Sequence, residues 1–219
     1  MRIAIINGSP RGMKSNSRLL TDQFLEGFRE GNPAAAYEMY YLVNRHQIQD
    51  AIDCCLQSDV VLIAFPLYTD AMPGIVKMFF EKVPLLPGKK IAFFVQSGFP
   101  EAIHCFYLEK YLEKFAHRLG AEYLGTVTKG NVEGIQERPA WMNKGLFSSF
   151  RSLGLHFAQT GELDKKIVSK LKKPFKFPAA SQVFFRLISL TGIFNSGWNH
   201  LLKANHAYEV RHARPYEVV

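Results

Sequence analysis

The chain has 219 residues, of which 47% are hydrophobic and 13% aromatic, and it carries a formal net charge of +8 at pH 7; this is enough apolar material for one full core and too much for a disordered chain. Its three cysteines, Cys54, Cys55 and Cys105, fit no CxxC or metal-ligand spacing, so a disulfide scaffold, a zinc site and an iron–sulfur centre are excluded and three small core residues are expected. Met1 is followed by strand-like sequence rather than by a basic segment and an apolar one, which points away from a secretory signal and toward a cytoplasmic location.

In chain order, apolar strand patterns alternate with helical ones. Strands are expected at Arg2–Asn7, Ala36–Leu42, Val60–Phe65, Lys90–Gln96 and Glu122–Thr128, and helices at Ser17–Glu30, Gln47–Gln57, Gly74–Val83 and Ile103–Leu119. "SDVVLIAFP" and "KKIAFFVQSG" are unbroken apolar runs bounded by polar residues, Gly or Pro, the mark of strands buried on both faces. The alternation predicts an α/β domain with a five-stranded parallel sheet over residues 1–141, its last strand followed by the turn-rich "KGNVEGIQERPAW". Residues 142–219 are expected to form a basic, amphipathic helical extension packed on the α/β body or on a dimer partner, with helical segments at Met142–Gln159, Glu162–Leu171 and Ala179–Lys203 interrupted by "KKPFKFP". Val183, Phe184, Leu187, Ile188, Thr191, Trp198 and Leu202 recur at helical spacing, which reads as a packing stripe. The charge-free run between Arg186 and His200 is too short to span a bilayer.

Charge divides the same way. Residues 1–141 hold 15 Lys or Arg and 15 Asp or Glu, whereas residues 142–219 hold 12 basic and 4 acidic side chains and therefore the whole excess.

An open parallel sheet binds ligands beyond the carboxyl ends of its strands, where the strand order reverses. The loop after the first strand, "NGSPRGMKSNS", gathers Ser9, Arg11, Ser15, Asn16 and Ser17 with Gly8 and Gly12, and runs straight into a helix start. Small donors, bare backbone and a helix N-terminus together suit a phosphate. The loop lacks the GKS/T ending of a nucleoside-triphosphate loop and the GxGxxG dinucleotide turn. A polar turn capped by Asn16 or Ser17 is the plainer alternative.

After the third strand, "FPLYTDAMPG" places Pro66, Leu67, Tyr68 and Met72 on a stiff loop suited to a planar ring, although Tyr68 equally fits a half-buried loop aromatic. After the fourth, "QSGFPEA" offers Ser97 and Gly98 beside the apolar wall of Phe99. After the fifth, "KGNVEG" repeats the small-residue theme more weakly, and a planar heterocycle with one terminal phosphate satisfies all four loops.

The "INGSPR…SNS" stretch, followed in order by Pro66, Tyr68, Pro73, Gly74, Lys77 and Glu81, resembles the NADPH-dependent FMN reductases and related flavodoxin-like quinone and nitro-compound reductases. The resemblance covers residues 1–131. It implies a flavodoxin-like fold with non-covalent FMN, often in a homodimer, and an enzyme that passes electrons from NAD(P)H to a small acceptor such as a quinone, nitro compound or flavin. By this match Ser9, Arg11, Ser15, Asn16 and Ser17 hold the FMN phosphate, Pro66, Leu67, Tyr68 and Met72 flank the ring, and Ser97, Gly98 and Phe99 lie beyond it. No metal is implied.

With a flavin bound, no protein nucleophile is required, in keeping with a chain that shows no Ser/His/Asp or paired-carboxylate arrangement. Tyr68, Glu101 and His104, on or near the ring-side loops, are the candidates for a catalytic contribution; a loop polar group and a helix-start residue are the plainer readings of the last two. The competing reading is a flavodoxin-type electron carrier, which the basic balance disfavours. The lysines at 165, 166, 170, 172, 173 and 176 accompany no nucleic-acid motif, so nucleic acid is not an expected partner and a solvated helix face is the plainer reading of them. Peripheral contact of this section with an anionic membrane or an acidic redox partner is the remaining use for the charge, with Phe175, Phe177 and Pro178 as apolar contacts.

Overall fold

The computed structural model describes residues 1–192, 195–214 and 216. Five strands, β1 (Arg2–Asn7), β2 (Ala36–Tyr41), β3 (Val60–Pro66), β4 (Lys90–Gln96) and β5 (Glu122–Lys129), form one sheet in the order β2-β1-β3-β4-β5 with every pair parallel. The chain steps outward from β1 to β2, then crosses back over β1 to β3, so the order reverses between β1 and β3 and opens a crevice there.

Strand pleating explains why the apolar runs are unbroken. Ala4 and Ile6, with Val61, Ile63 and Phe65, enter the core on one face, while Ile3 and Ile5, with Val60, Leu62 and Ala64, enter the core on the other. The first face is covered by α2 (Ile48–Gln57), α3 (Gly74–Phe80) and α4 (Phe106–Arg118), which contribute Cys55, Phe79 and Leu112. All three cysteines are free and buried.

The second face needs more cover than α1 (Asn16–Gly31) can provide, and the rest comes from α5 (Ala140–Thr160). Phe150 and Phe157 of α5 join Phe24, Phe28 and Phe94 in an aromatic cluster whose contacting ring centroids lie 5.2–6.2 Å apart, and Leu153 is buried in the same core. The two helices cross at glycines: a Cβ on Gly154 would lie 1.8 Å from the carbonyl oxygen of Phe24, and one on Gly27 would lie 1.8 Å from that of Arg151. Such close backbones maximise dispersion contact across the crossing.

The chain divides into two compact units, Met1–Lys176 and Phe177–Val219. The boundary therefore falls well after the 141/142 position expected from composition, because α5 and Leu171 of α6 (Lys165–Leu171) are buried in the same core as the sheet. Helix α6 starts later than the Glu162 expected. Asp164 is its N-cap, accepting from the N–H groups of Lys166 and Ile167 at 2.7 and 3.0 Å.

In the second unit the helix expected from Ala179 to Lys203 is two helices, α7 (Ala179–Ser189) and α8 (Asn195–Ala204). Gly192, with φ +72°, takes a left-handed conformation that a continuous helix does not allow. Neither helix buries a side chain. Among the described residues no helix is long and apolar enough to cross a membrane, and no group of His, Cys, Asp and Glu is placed to hold a metal.

Candidate functional site

The loop from Gly8 to Ser15 is folded by its own side chains. Asn7, the last residue of β1, accepts from the Ser9 N–H at 2.9 Å and donates through Nδ2 to Ser15 Oγ at 3.1 Å. Ser9 Oγ accepts from the Arg11 N–H at 3.3 Å. A 3-10 turn over Gly12–Lys14, with Gly12 at φ +52°, then leads into α1.

The cap of α1 is Ser15, in place of the Asn16 or Ser17 considered from sequence: its backbone is extended and its Oγ accepts from the Arg18 N–H at 3.1 Å. That shift leaves Asn16 and Ser17 as the first helical residues, whose N–H groups the helix itself does not satisfy. Asn16 is committed elsewhere, its Nδ2 donating to the Val132 carbonyl at 2.9 Å and its Oδ1 accepting from Gln136 at 2.7 Å. The Ser17 hydroxyl is buried and has no hydrogen-bond partner. An orphaned hydroxyl at the positive end of a 16-residue helix is suited to an anion.

Ser9, Arg11, Asn16, Pro66, Leu67, Tyr68 and Gly98 line one narrow cleft, about 50 Å³ in volume, together with Gln96 and Glu133. Seven of the twelve residues expected to hold a cofactor thus share one concavity at the β1/β3 reversal. Ser15 and Ser97 are buried, Ser15 as the helix cap and Ser97 with its Oγ accepting from the Phe99 N–H at 3.0 Å. Met72 is not among the cleft residues; half-buried, it packs on the core with Ile75.

Two features of the ring-side loops follow from backbone shape. Tyr68 and Ala71 exchange N–H···O bonds at 2.9 and 3.0 Å, closing a two-residue turn in which Thr69 and Asp70 have φ of +50° and +58°. Neither is glycine, so the turn carries strain of the kind found at ligand-contacting loops. It leaves Tyr68 45% exposed on the cleft wall. Asp70, in turn, meets His104 Nδ1 at 3.2 Å, and the His104 ring stacks on Phe99 with centroids 4.5 Å apart. Phe99, His104 and Asp70 therefore tie the loop after β4 to the loop after β3. Glu101 lies on the same loop as Phe99, one residue before the 3-10 turn that carries His104.

The loop after β5 folds back over these. Ser97 N–H donates to Lys129 O, Val132 N–H to Ser97 O and Asn131 N–H to Phe99 O, each at 2.9 Å. A Cβ on Gly130 would lie 2.5 Å from the Phe99 carbonyl oxygen, so only glycine permits this approach. It carries Glu133 to the cleft, where its carboxylate meets Arg11 at 3.1 Å. At the foot of the loop, burial pushes the Lys129 ammonium below the usual lysine range, with Arg138 adding to the effect.

Sequence reasoning missed Gln96, Asp70 and Glu133. Gln96 was visible as the polar end of an otherwise apolar strand; Glu133 reaches the site only through long-range folding of its loop. A larger cavity, about 510 Å³, lies along the amino-terminal half of β5 beside α6. It is away from the strands' carboxyl ends, and although Lys165 at the start of the seven-residue α6 lines it, so do the carboxylates of Glu109, Glu122 and Glu162, so it lacks the features of an anion cradle.

A parallel sheet ordered β2-β1-β3-β4-β5, with a donor-rich loop at the first helix and aromatic loops facing it, is the architecture of a doubly wound α/β protein with its crevice at the strand-order reversal. Residues 1–145 match the family described by its flavodoxin-like fold, and the chain belongs to that family. No curated protein sequence matches the chain significantly. Among solved structures it is similar to an NAD(P)H:quinone oxidoreductase from Methanothermobacter marburgensis, at 14% identity over 72% of this chain and 96% of the other with a TM-score of 0.59. It is similar also to an FMN-dependent NADH-azoreductase from Bacillus anthracis in complex with FMN, at 16% identity, 72% and 99% coverage and TM-score 0.54. An NADH:FMN oxidoreductase in its apo form gives 16% identity, 79% and 96% coverage and TM-score 0.57.

Proposed function

We propose that the cleft binds FMN and that the protein is an FMN-dependent oxidoreductase passing electrons from NAD(P)H to a small acceptor such as a quinone, a nitro compound or a free flavin. The observation that carries this reading is the single cleft at the β1/β3 reversal that takes Ser9, Arg11 and Asn16 from the loop and first turn of α1 and is walled by Tyr68; the unpartnered Ser17 hydroxyl lies in the same first turn, outside that lining. The residues present fit the group on charge as well. Arg11 is an exposed cation at the cleft, and the only carboxylate in the lining, Glu133, is already paired with it. The three solved structures of the same fold, an FMN-dependent NADH-azoreductase, an NAD(P)H:quinone oxidoreductase and an NADH:FMN oxidoreductase, support the assignment by analogy.

In this reading Ser17 Oγ, Ser9 and the first-turn N–H groups of α1 bind the phosphate, and Arg11 neutralises it. Pro66, Leu67 and Tyr68 present a flat wall to the ring, with Gly98 and Phe99 on the neighbouring loop. A flavin held there by these residues would supply the redox chemistry between a nicotinamide and the acceptor. The chain's work is to orient that group and keep water from it, and the Phe99–His104–Asp70 clasp holds the ring-side loops in place for it. Assembly into a homo-oligomer and a cytoplasmic location belong to the same reading.

The purified protein tests it directly. Expected are flavin bands in the visible spectrum, release of FMN rather than FAD on denaturation, and NADH or NADPH oxidation faster than free FMN supports. A protein that neither retains nor rebinds FMN overturns the proposal, whereas one that binds FMN but oxidises neither nicotinamide with any small acceptor is an electron carrier.

A further inference from the structure

From Lys165 to Tyr208 the chain has no Asp or Glu but eight Lys or Arg, and it also holds an unusual share of the exposed large apolar side chains. Val183, Phe184, Leu187 and Leu190 of α7 and the residue after it are 57–81% exposed, and Trp198 and Leu201 of α8 are 64% and 49% exposed. Both helices are two-faced. On α7, Val183, Phe184, Leu187 and Ile188 lie on one side and Gln182, Arg186 and Ser189 on the other; on α8, Trp198, Leu201 and Leu202 oppose Asn199, His200 and Lys203. The flavin-binding reading uses none of these residues.

We propose that the second unit is a membrane-surface anchor, and that α7 and α8 lie in the plane of an anionic phospholipid bilayer with their apolar sides among the acyl chains. Three observations select this occupant. The helices, of 11 and 10 residues, are too short to cross a bilayer, so an apolar face of this kind is accommodated lying flat at its surface. Trp198 supplies the aromatic group that favours the headgroup boundary, and Arg186 and Lys203, both exposed, have stems long enough to reach phosphates while the adjacent face is inserted. The exposed Lys173 and Lys176 lead directly into α7, and the complete absence of carboxylates over this stretch removes repulsion from an anionic surface. A nucleic acid complements the charge but leaves Val183, Leu187 and Leu190 in water.

The test is flotation of the full-length protein with vesicles of phosphatidylcholine containing about 30% phosphatidylglycerol, compared with pure phosphatidylcholine, at low and high salt. Expected are flotation with the anionic vesicles, at least about tenfold weaker binding to the neutral ones, and weakening as salt rises. Phe184→Glu with Leu187→Glu is expected to lower anionic-vesicle binding at least about tenfold while leaving thermal stability of the first unit unchanged, because both side chains are already exposed. In a Trp141→Phe background, which leaves Trp198 as the one tryptophan, emission is expected to shift to the blue on adding anionic vesicles. Absence of flotation overturns the proposal. So does flotation that the Phe184/Leu187 double substitution leaves unchanged, since adsorption then needs only the lysines. Tighter binding to duplex DNA than to the vesicles, or a halving of molecular mass in the double variant without any vesicle binding, also overturns it and assigns the surface to nucleic acid or to a second copy of this chain. FMN content does not enter any of these readouts.

Discussion

Arg11 and Glu133, 122 positions apart in the chain, form an ion pair of 3.1 Å at the cleft, joining the loop after β1 to the loop after β5. Both side chains are more than half exposed, so the pair adds little to stability. Its meaning lies in competition: an anion entering the cleft meets a cation that is already engaged and a carboxylate of its own sign. Glu133→Gln is therefore expected to raise FMN affinity about three- to tenfold, by releasing Arg11 and removing a like charge, and Arg11→Ala to lower it by a similar factor. Flavin-fluorescence titration reads both, and riboflavin, which lacks the phosphate, is expected to respond to neither. Weaker FMN binding by the Glu133 variant contradicts this account of the pair.

Ser15, the N-cap of α1, and Ser17, in its first turn, are two residues apart and have separable roles. Ser15→Ala removes the N-cap of α1 and is expected to cost about 1 kcal/mol in denaturant unfolding. Ser17→Ala deletes a hydroxyl with no partner in the protein, so stability should hold or improve while FMN affinity falls about tenfold or more, the scale of one hydrogen bond to a charged group. Equal effects of the two substitutions on stability would remove the orphan hydroxyl from the site.

The α1/α5 crossing is expected to be among the most sensitive places in the molecule. Gly154→Ala sets a methyl group against the Phe24 carbonyl, with no flexible side chain available to yield. The loss expected is roughly 3 kcal/mol, read as a lower denaturation midpoint at unchanged slope. Gly145→Ala, on the same helix with nothing within 4 Å of the added Cβ, serves as the control and should be neutral or slightly stabilising.

Burial pushes the thiols of Cys55 and Cys105 up to about 12, so neither forms appreciable thiolate at neutral pH. Native protein is expected to react slowly with a disulfide reagent and to release all three thiols only on unfolding. Rapid stoichiometric labelling of Cys55 or Cys105 in the native state contradicts the packing described for α2 or for the turn preceding α4.

Much of this protein is local, and what is local was legible in its sequence. Strands β1, β3 and β4 announce themselves because burial on both faces demands unbroken apolar runs, and the stretch from Gly8 into the first turn of α1 announces itself because small donors at a helix start have few other uses. The cap of α1 was misplaced by one or two residues, since Ser15, Asn16 and Ser17 are all competent caps and only the backbone conformation at Ser15 decides among them. The role of α5 lay beyond the sequence for a different reason. Its apolar residues mark a helix that must be buried, but nothing in them names the partner; Phe24, Phe94 and the glycines at 27 and 154 become its partners only when the sheet's second face is assembled. Asp70 and Glu133 reach the site in the same way. Asp70 does so through a strained turn closed by Tyr68 and Ala71, and Glu133 through a loop anchored on Ser97 and Phe99. Strand identity and donor-rich loops are properties of neighbours in the chain, whereas a charge pair across 122 residues exists only after the hydrophobic effect has brought β1 and β5 into one sheet.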